Sequence, residues 1–240
     1  MKITAIGIAV IAALMGTPAL AADMLVKAPP PVFAPAYDWT GFYLGAQGGV
    51  DWGSSVQFYT SGTTGRYGIS GASGGVTGGY NWQFAPHWVG GIEGDFSFAN
   101  ITGTGATTAT YNCGVICSTT VNGYGTVRAR VGYVFGGGAL LYATGGWAEA
   151  QITPNLNTFT QSSNLSGWAA GGGLEYRFAG NWSAKVEYLW LNFGSFNWTN
   201  VNVPTIIACA GINCSSDAKF NVVRIGLNYR FNWSAPVAAK

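Results

Sequence analysis

The sequence predicts an all-β fold: an eight-stranded antiparallel transmembrane β-barrel with short periplasmic turns and long extracellular loops. Three observations carry this. Four segments end alike, at Phe84 ("VTGGYNWQF"), Phe135 ("RARVGYVF"), Phe178 ("AGGGLEYRF") and Phe231 ("RIGLNYRF"). Very short connections alternate with long ones between the segments. Along most strands, charged residues hold one parity and aromatic or aliphatic residues the other, the period-2 signature of a strand with two different faces.

The chain begins "MKITAIGIAVIAALMGTPALAAD". A lysine, a short apolar core and the small residues Ala19-Leu20-Ala21 predict a signal peptide over residues 1–21, cleaved before Ala22. The apolar core is too short to span a bilayer. Residues 22–38 contain Pro29, Pro30, Pro31 and Pro35. Proline cannot join a ladder or a helix interior, so this stretch is expected to be an extended periplasmic linker. The barrel is expected over 39–231, and 232–240 as a short C-terminal tail.

The first strand is "WTGFYLGAQGGVDW" and the second ends at Phe84. "APH" then turns the chain into "WVGGIEGDFSF". "GYGTVRARVGYVF" and "LLYATGGWAEAQI" flank the turn "GGGA". "AGGGLEYRF" and "WSAKVEYLWLNF" flank "AGN", and "NVVRIGLNYRF" closes the set. Each strand spans roughly 10–14 residues, enough for the 9–11 tilted residues of a membrane strand. The long connections fall near 53–68, 100–120, 153–164 and 195–218 and are rich in Gly, Ser, Thr and Asn.

Parity places ten charges on one face: Glu93, Asp95, Arg128, Arg130, Glu175, Arg177, Lys185, Glu187, Arg224 and Arg230. The fifth strand, with Glu149, leaves its phase open. Facing lipid near the midplane, each Arg or Lys would cost about 2–4 kcal/mol. They are therefore expected inside as a lumen charge network, with Gly171, Gly173 and Gly226 leaving room beside them. A soluble barrel would turn its charges outward; scarce charge and abundant aromatics favour the membrane. Trp39, Phe42, Trp82, Phe84, Trp88, Phe135, Phe178, Trp182 and Phe231 fall at the short-turn end, as one interfacial girdle would. Trp52, Trp190 and Trp198 fall toward the other end.

Composition agrees. Charged residues are 8% of the chain, against about 25% in soluble domains. The formal net charge is only +2, so no nucleic-acid partner is expected. Cys113, Cys117, Cys209 and Cys214 lie in exported loops. Three pairings are possible, of which the local disulfides Cys113–Cys117 and Cys209–Cys214 are favoured. Metal binding is the weaker rival, since the sole histidine, His87, lies in a turn beside Pro86.

Taken together, "YDWTGFYLGAQGGVDWG", "GGYNWQF", "WVGGIEGDFSF", "TVRARVGYVF", "LLYATGGWA", "EYRFAGNWSAKVEYLW" and "VVRIGLNYRF" resemble a known family. It is the small eight-stranded outer-membrane β-barrel, or porin-family surface protein, of alphaproteobacterial type. The resemblance implies location in the outer membrane of a Gram-negative bacterium and insertion by the barrel-assembly machinery. It implies an assembly signal in the last strand, carried here by Ile225, Leu227, Tyr229 and Phe231. Phe231 is followed by "NWSAPVAAK", a departure from a terminal Phe.

No catalytic constellation is present: one histidine rules out a His-based triad, and "GGGLEY" is not a phosphate loop. No enzyme activity, cofactor or metal is expected. The expected role is structural and surface-interacting, with outer-membrane lipid and lipopolysaccharide as surroundings and peptidoglycan or a host surface as candidate partners. The alternatives are a narrow porin and a haem or ligand receptor. For haem the loops offer only Tyr59, Tyr67 and Tyr111 as iron ligands.

Overall fold

The computed structural model describes residues 38–59, 62–63, 66–105, 117–156, 159–160, 163–198 and 214–231. Eight long strands account for nearly all of them: β1 (Gly41–Tyr59), β2 (Tyr67–Ala85), β3 (Trp88–Gly105), β4 (Cys117–Phe135), β5 (Ala139–Leu156), β6 (Ser163–Ala179), β7 (Trp182–Trp198) and β8 (Cys214–Phe231). Two-residue strands at Gly62–Thr63 and Phe159–Thr160 extend the tips of β1 and β5. Each long strand pairs antiparallel with its neighbour in sequence. β1 also pairs β8, from Phe42↔Phe231 to Phe58↔Ser215, so the sheet closes on itself with no free edge. The described residues contain no helix.

The three tight turns share one end. Gly136, Gly137 and Gly138 carry one of them with φ of 50, 77 and 121°, a region open to glycine and strained for other residues.

The strands run 17–19 residues, longer than alternation predicts. β1 runs on to Tyr59 and β2 begins at Tyr67, inside the stretch expected as the first long loop. At about 3.3 Å per residue and a tilt near 40°, such strands stand about 45 Å tall. The apolar band of a membrane barrel is about 25 Å. The ladders therefore continue past the membrane at the long-loop end.

The outer face records the change. Leu44, Ile92, Val127, Val131, Leu141, Leu174, Val186, Ile225 and Leu227 are exposed on the membrane stretch. Further toward the long loops the exposed positions are Ser70, Asn100, Thr102, Asn122, Gln151, Asn164 and Ser166. Trp52, Trp147 and Trp168 are exposed near the handover, and Trp168 meets Trp190 edge-on with ring centroids 4.6 Å apart.

The inner face changes in the opposite sense. On β7 the inward residues are Lys185 and Glu187, then Leu189, Leu191 and Phe193. On β8 they are Arg224, then Val222, Phe220 and Ala218. These apolar groups join Ile69, Ile101, Val121, Ile152 and Leu165 in one cluster inside the barrel. In β4 a bulge between Val121 and Gly123 shifts the phase by one residue, so Val121 and Thr119 turn inward.

Candidate functional site

The charged layer lies in the membrane stretch of the lumen. Glu93 and Asp95 come from β3, Arg128 and Arg130 from β4, Glu175 from β6, Lys185 and Glu187 from β7, and Arg224 from β8. All eight are buried; Arg128 is 1% exposed. Arg128 is the hub. Its Nη2 donates to Glu93 Oε1 (2.6 Å) and Asp95 Oδ2 (2.8 Å), and its Nη1 to Glu187 Oε1 (3.0 Å). Its Nε donates to Thr126 Oγ1 at 2.8 Å. Arg224 grips Asp95 with both Nη groups, at 3.0 and 3.1 Å, and gives Nε to Glu187 at 2.7 Å. Lys185 Nζ reaches Glu93 Oε2 at 2.8 Å. Arg130 spans Glu93 (3.4 Å) and Glu175 (3.1 Å).

Four carboxylates thus meet four cations, and the layer is neutral. Charge-assisted hydrogen bonds are the strong kind, and here they answer most of the buried donors.

Two tyrosines complete the layer. Tyr43 of β1 donates its hydroxyl to Glu93 Oε2 at 2.8 Å, and Tyr142 of β5 to Glu187 Oε1 at 3.0 Å. The Arg130 guanidinium lies between their rings, 5.0 and 4.9 Å from the centroids. Each ring needs a glycine on the next strand. A Cβ built on Gly79 would stand 2.5 Å from the Tyr43 hydroxyl, and one on Gly173 would stand 2.7 Å from that of Tyr142. Gly226 makes similar room for Lys185, whose Cγ and Cε would lie 3.2 Å from an added Cβ. Gly171 differs: its Cβ would meet the backbone of Tyr188 and the side chain of Leu189, so it serves the apolar cluster.

Sequence parity alone did not point to these tyrosines, nor to Asn81, Gln47 and Asp51, all buried on the inner face. The signal existed in β1, where Tyr43, Gln47 and Asp51 share a parity opposite Leu44, Val50 and Trp52. Asp51 accepts from the Tyr124 hydroxyl at 3.0 Å, nearer the apolar cluster. Glu149 resolves the open phase of β5. It lies on the outward parity, one step past Trp147, while Ala148 and Ala150 are buried inside.

Three expected placements need correction. Arg177 shares the inward parity but lies outside the network. It is half-buried at the short-turn end and donates to the carbonyls of Asp38 (3.0 Å) and Gly180 (2.9 Å). Arg230 faces inward and is buried, yet touches no carboxylate of the layer. Trp39 is not in the girdle. It is 2% exposed, packed inside the mouth with Val89, Val134 and Leu140. It precedes β1, where no ladder fixes which way a side chain turns. Its backbone NH is held by Gln83 Oε1 at 2.8 Å.

Phe42, Trp82, Phe84, Trp88, Phe135, Phe178, Trp182 and Phe231 are exposed on the outer face at the short-turn end. Ile225, Leu227 and Phe231 are exposed along β8, with Tyr229 half-exposed among them. Tyr67, a candidate iron ligand, is buried inside the barrel with its hydroxyl on Thr119 at 2.6 Å. Tyr111, the side chains of Tyr59, of all four cysteines and of Trp198, residues 1–37 and the tail from 232 lie outside what the structure describes.

The sequence comparisons with known proteins agree on the kind of molecule. Residues 9–231 match the family described as outer membrane protein beta-barrel domain. The chain is 34% identical over 244 residues to the 31 kDa outer-membrane immunogenic protein of Brucella melitensis biotype 1, covering 93% of this chain and 98% of that one. It is 30% identical over 165 residues to the 22 kDa outer membrane protein of Rhizobium leguminosarum bv. viciae, covering 67% of each. The solved structure of the outer membrane protein OprG from Pseudomonas aeruginosa aligns with a TM-score of 0.49 at 12% identity, over 80% of this chain and 97% of that one.

Proposed function

This chain belongs to the outer membrane protein β-barrel family and resides in the outer membrane of a Gram-negative bacterium, and from that premise we propose that it is a closed structural barrel that displays loops outward. One observation carries the reading: the lumen is filled twice. The neutral layer around Arg128 fills the membrane stretch, and the apolar cluster from Leu189 to Phe220 fills the stretch above it. An ion crossing the barrel would have to part a charge network and then enter a greasy plug. An eight-stranded barrel is already just filled by side chains.

No catalytic role follows from the layer. Its carboxylates are held by arginines and lysine, an arrangement that stabilises structure and leaves no free acid or base. The relatives in Brucella are named immunogenic outer-membrane proteins, which favours loops that meet the outside. Lipid and lipopolysaccharide would surround the barrel, and the assembly machinery would read β8 through Ile225, Leu227, Tyr229 and Phe231. A host surface is the candidate partner for the loops, and peptidoglycan for the periplasmic side.

Conductance in a planar bilayer tests the closed lumen. The mature protein, shown to be inserted, is expected to give no discrete steps. Neutralising Arg128 or Glu93 alone is expected to leave it silent, because the apolar plug remains. Reproducible steps that change with either substitution would overturn the reading in favour of a narrow porin.

A further inference from the structure

Arg230 is the charge that the interior leaves over. It is the last inward residue of β8, across from Tyr43 of β1, and its backbone NH donates to Asn181 O at 2.9 Å in the tight turn. Only 9% of it is exposed. Its Nε and Nη1 are buried without a hydrogen-bond partner. Among the described residues, no carboxylate comes within ion-pair distance of it.

The nearby anions are already engaged. Glu175 accepts from Ser183 (2.6 Å) and Asn228 (2.8 Å) at Oε1 and from Arg130 (3.1 Å) at Oε2. Asp38 turns Oδ1 to the backbone NH of Thr40 at 2.8 Å. The second guanidinium of this mouth, Arg177, donates to the carbonyls of Asp38 and Gly180. Trp39 Nε1, packed inside the same end, is a further buried donor without a partner. The charged layer deeper in is already balanced. Among the described residues of the mouth, Nε and Nη1 of Arg230 and Nε1 of Trp39 are thus buried donors left without a hydrogen-bond partner.

A guanidinium cannot shed its proton, and burying it unpaired is costly. Its planar donors match the oxygens of carboxylate and phosphate groups. We propose that the periplasmic mouth binds a small oxyanion, phosphate or carboxylate, through Nε and Nη1 of Arg230. The site lies beside the tight turns, so its ligand enters from the periplasm. It stands independently of whether the lumen conducts.

The test uses protein purified from outer membranes with 15N-labelled arginine. The Arg230 Nε–H signal is assigned as the one lost in Arg230→Lys. Sodium phosphate and sodium acetate are each titrated against sodium chloride at matched ionic strength. A saturable shift of that signal is expected with one or both oxyanions and not with chloride. Response to phosphate alone assigns a phosphate-bearing ligand, and to acetate alone a carboxylate. The unfolding temperature should rise with the same midpoint concentration, and Arg230→Lys should raise that midpoint by about tenfold through the lost donors. No saturable shift with either oxyanion, an equal shift with chloride, or an unchanged midpoint in Arg230→Lys would overturn the site.

Discussion

The two halves of the barrel obey the same alternation in opposite senses. In the membrane half, Val127, Val131 and Leu141 face out, while Arg128, Arg130 and Glu93 face in. In the half beyond the exposed tryptophans, Ser70, Asn164 and Ser166 face out, while Ile69, Leu165 and Phe220 face in. Period 2 fixes only that the faces differ. The medium outside decides which face is apolar. Lipid accepts leucine and excludes arginine, so charges collect inside and pair. Water accepts serine and asparagine, so the upper half buries an ordinary hydrophobic core. One closed sheet is a membrane protein below and a soluble barrel above.

The sharpest way to break the comparison is to unpair the lower half. Arg128→Met removes the cation that Glu93, Asp95 and Glu187 share. Three buried carboxylates then lose a partner at once. Removing one member of a buried ion pair costs about 3–5 kcal/mol. Urea unfolding of the protein in lipid vesicles should show a loss of that size. If the loss stayed below about 1 kcal/mol, the level of an exposed ion pair, the layer would not be a buried network.

Next in size is a test of the lower outer face. Ile92 is outward, and its parity neighbours Phe96 and Phe98 are exposed with it. Ile92→Lys puts an ammonium against hydrocarbon, at an expected cost of about 2–4 kcal/mol near the midplane. The same vesicle assay reads it. A neutral result would move Ile92 out of the apolar band and with it the placement of the membrane on the sheet.

The eight strands, their neighbours and the face holding most of the charges were legible because they depend only on period and turn spacing. What escaped depends on level along the axis or on phase. Arg177 has the same parity as Glu175, but two residues nearer the turn it reaches the mouth and its carbonyls instead of the network. Tyr43 and Tyr142 read as apolar letters, yet their hydroxyls make them members of the charged layer. Val121 lies across a bulge that no letter pattern announces. Leu189 and Leu191 share the parity of Lys185 and Glu187. One strand face cannot be both polar and apolar unless its surroundings change partway, and no single residue states where that happens.

The smallest expected effect tests that change directly. Asn164 is outward and exposed on β6, paired with Gln151 on β5, which is exposed too. It lies past Trp168, on the long-loop side of the belt. Asn164→Lys makes an outward lysine, as Ile92→Lys does, on the same closed sheet. If water begins where the outer face turns polar, the new ammonium stays hydrated, and stability should move by no more than about 0.5 kcal/mol. The contrast between the two lysines is the informative quantity, since the outward face, charge and side-chain length are alike. Equal penalties at both sites would mean that lipid covers the upper half as well. Ser166 and Gln151 would then be polar groups facing hydrocarbon, and the inward Leu165 and Phe220 would have no physical reason to be sorted from them.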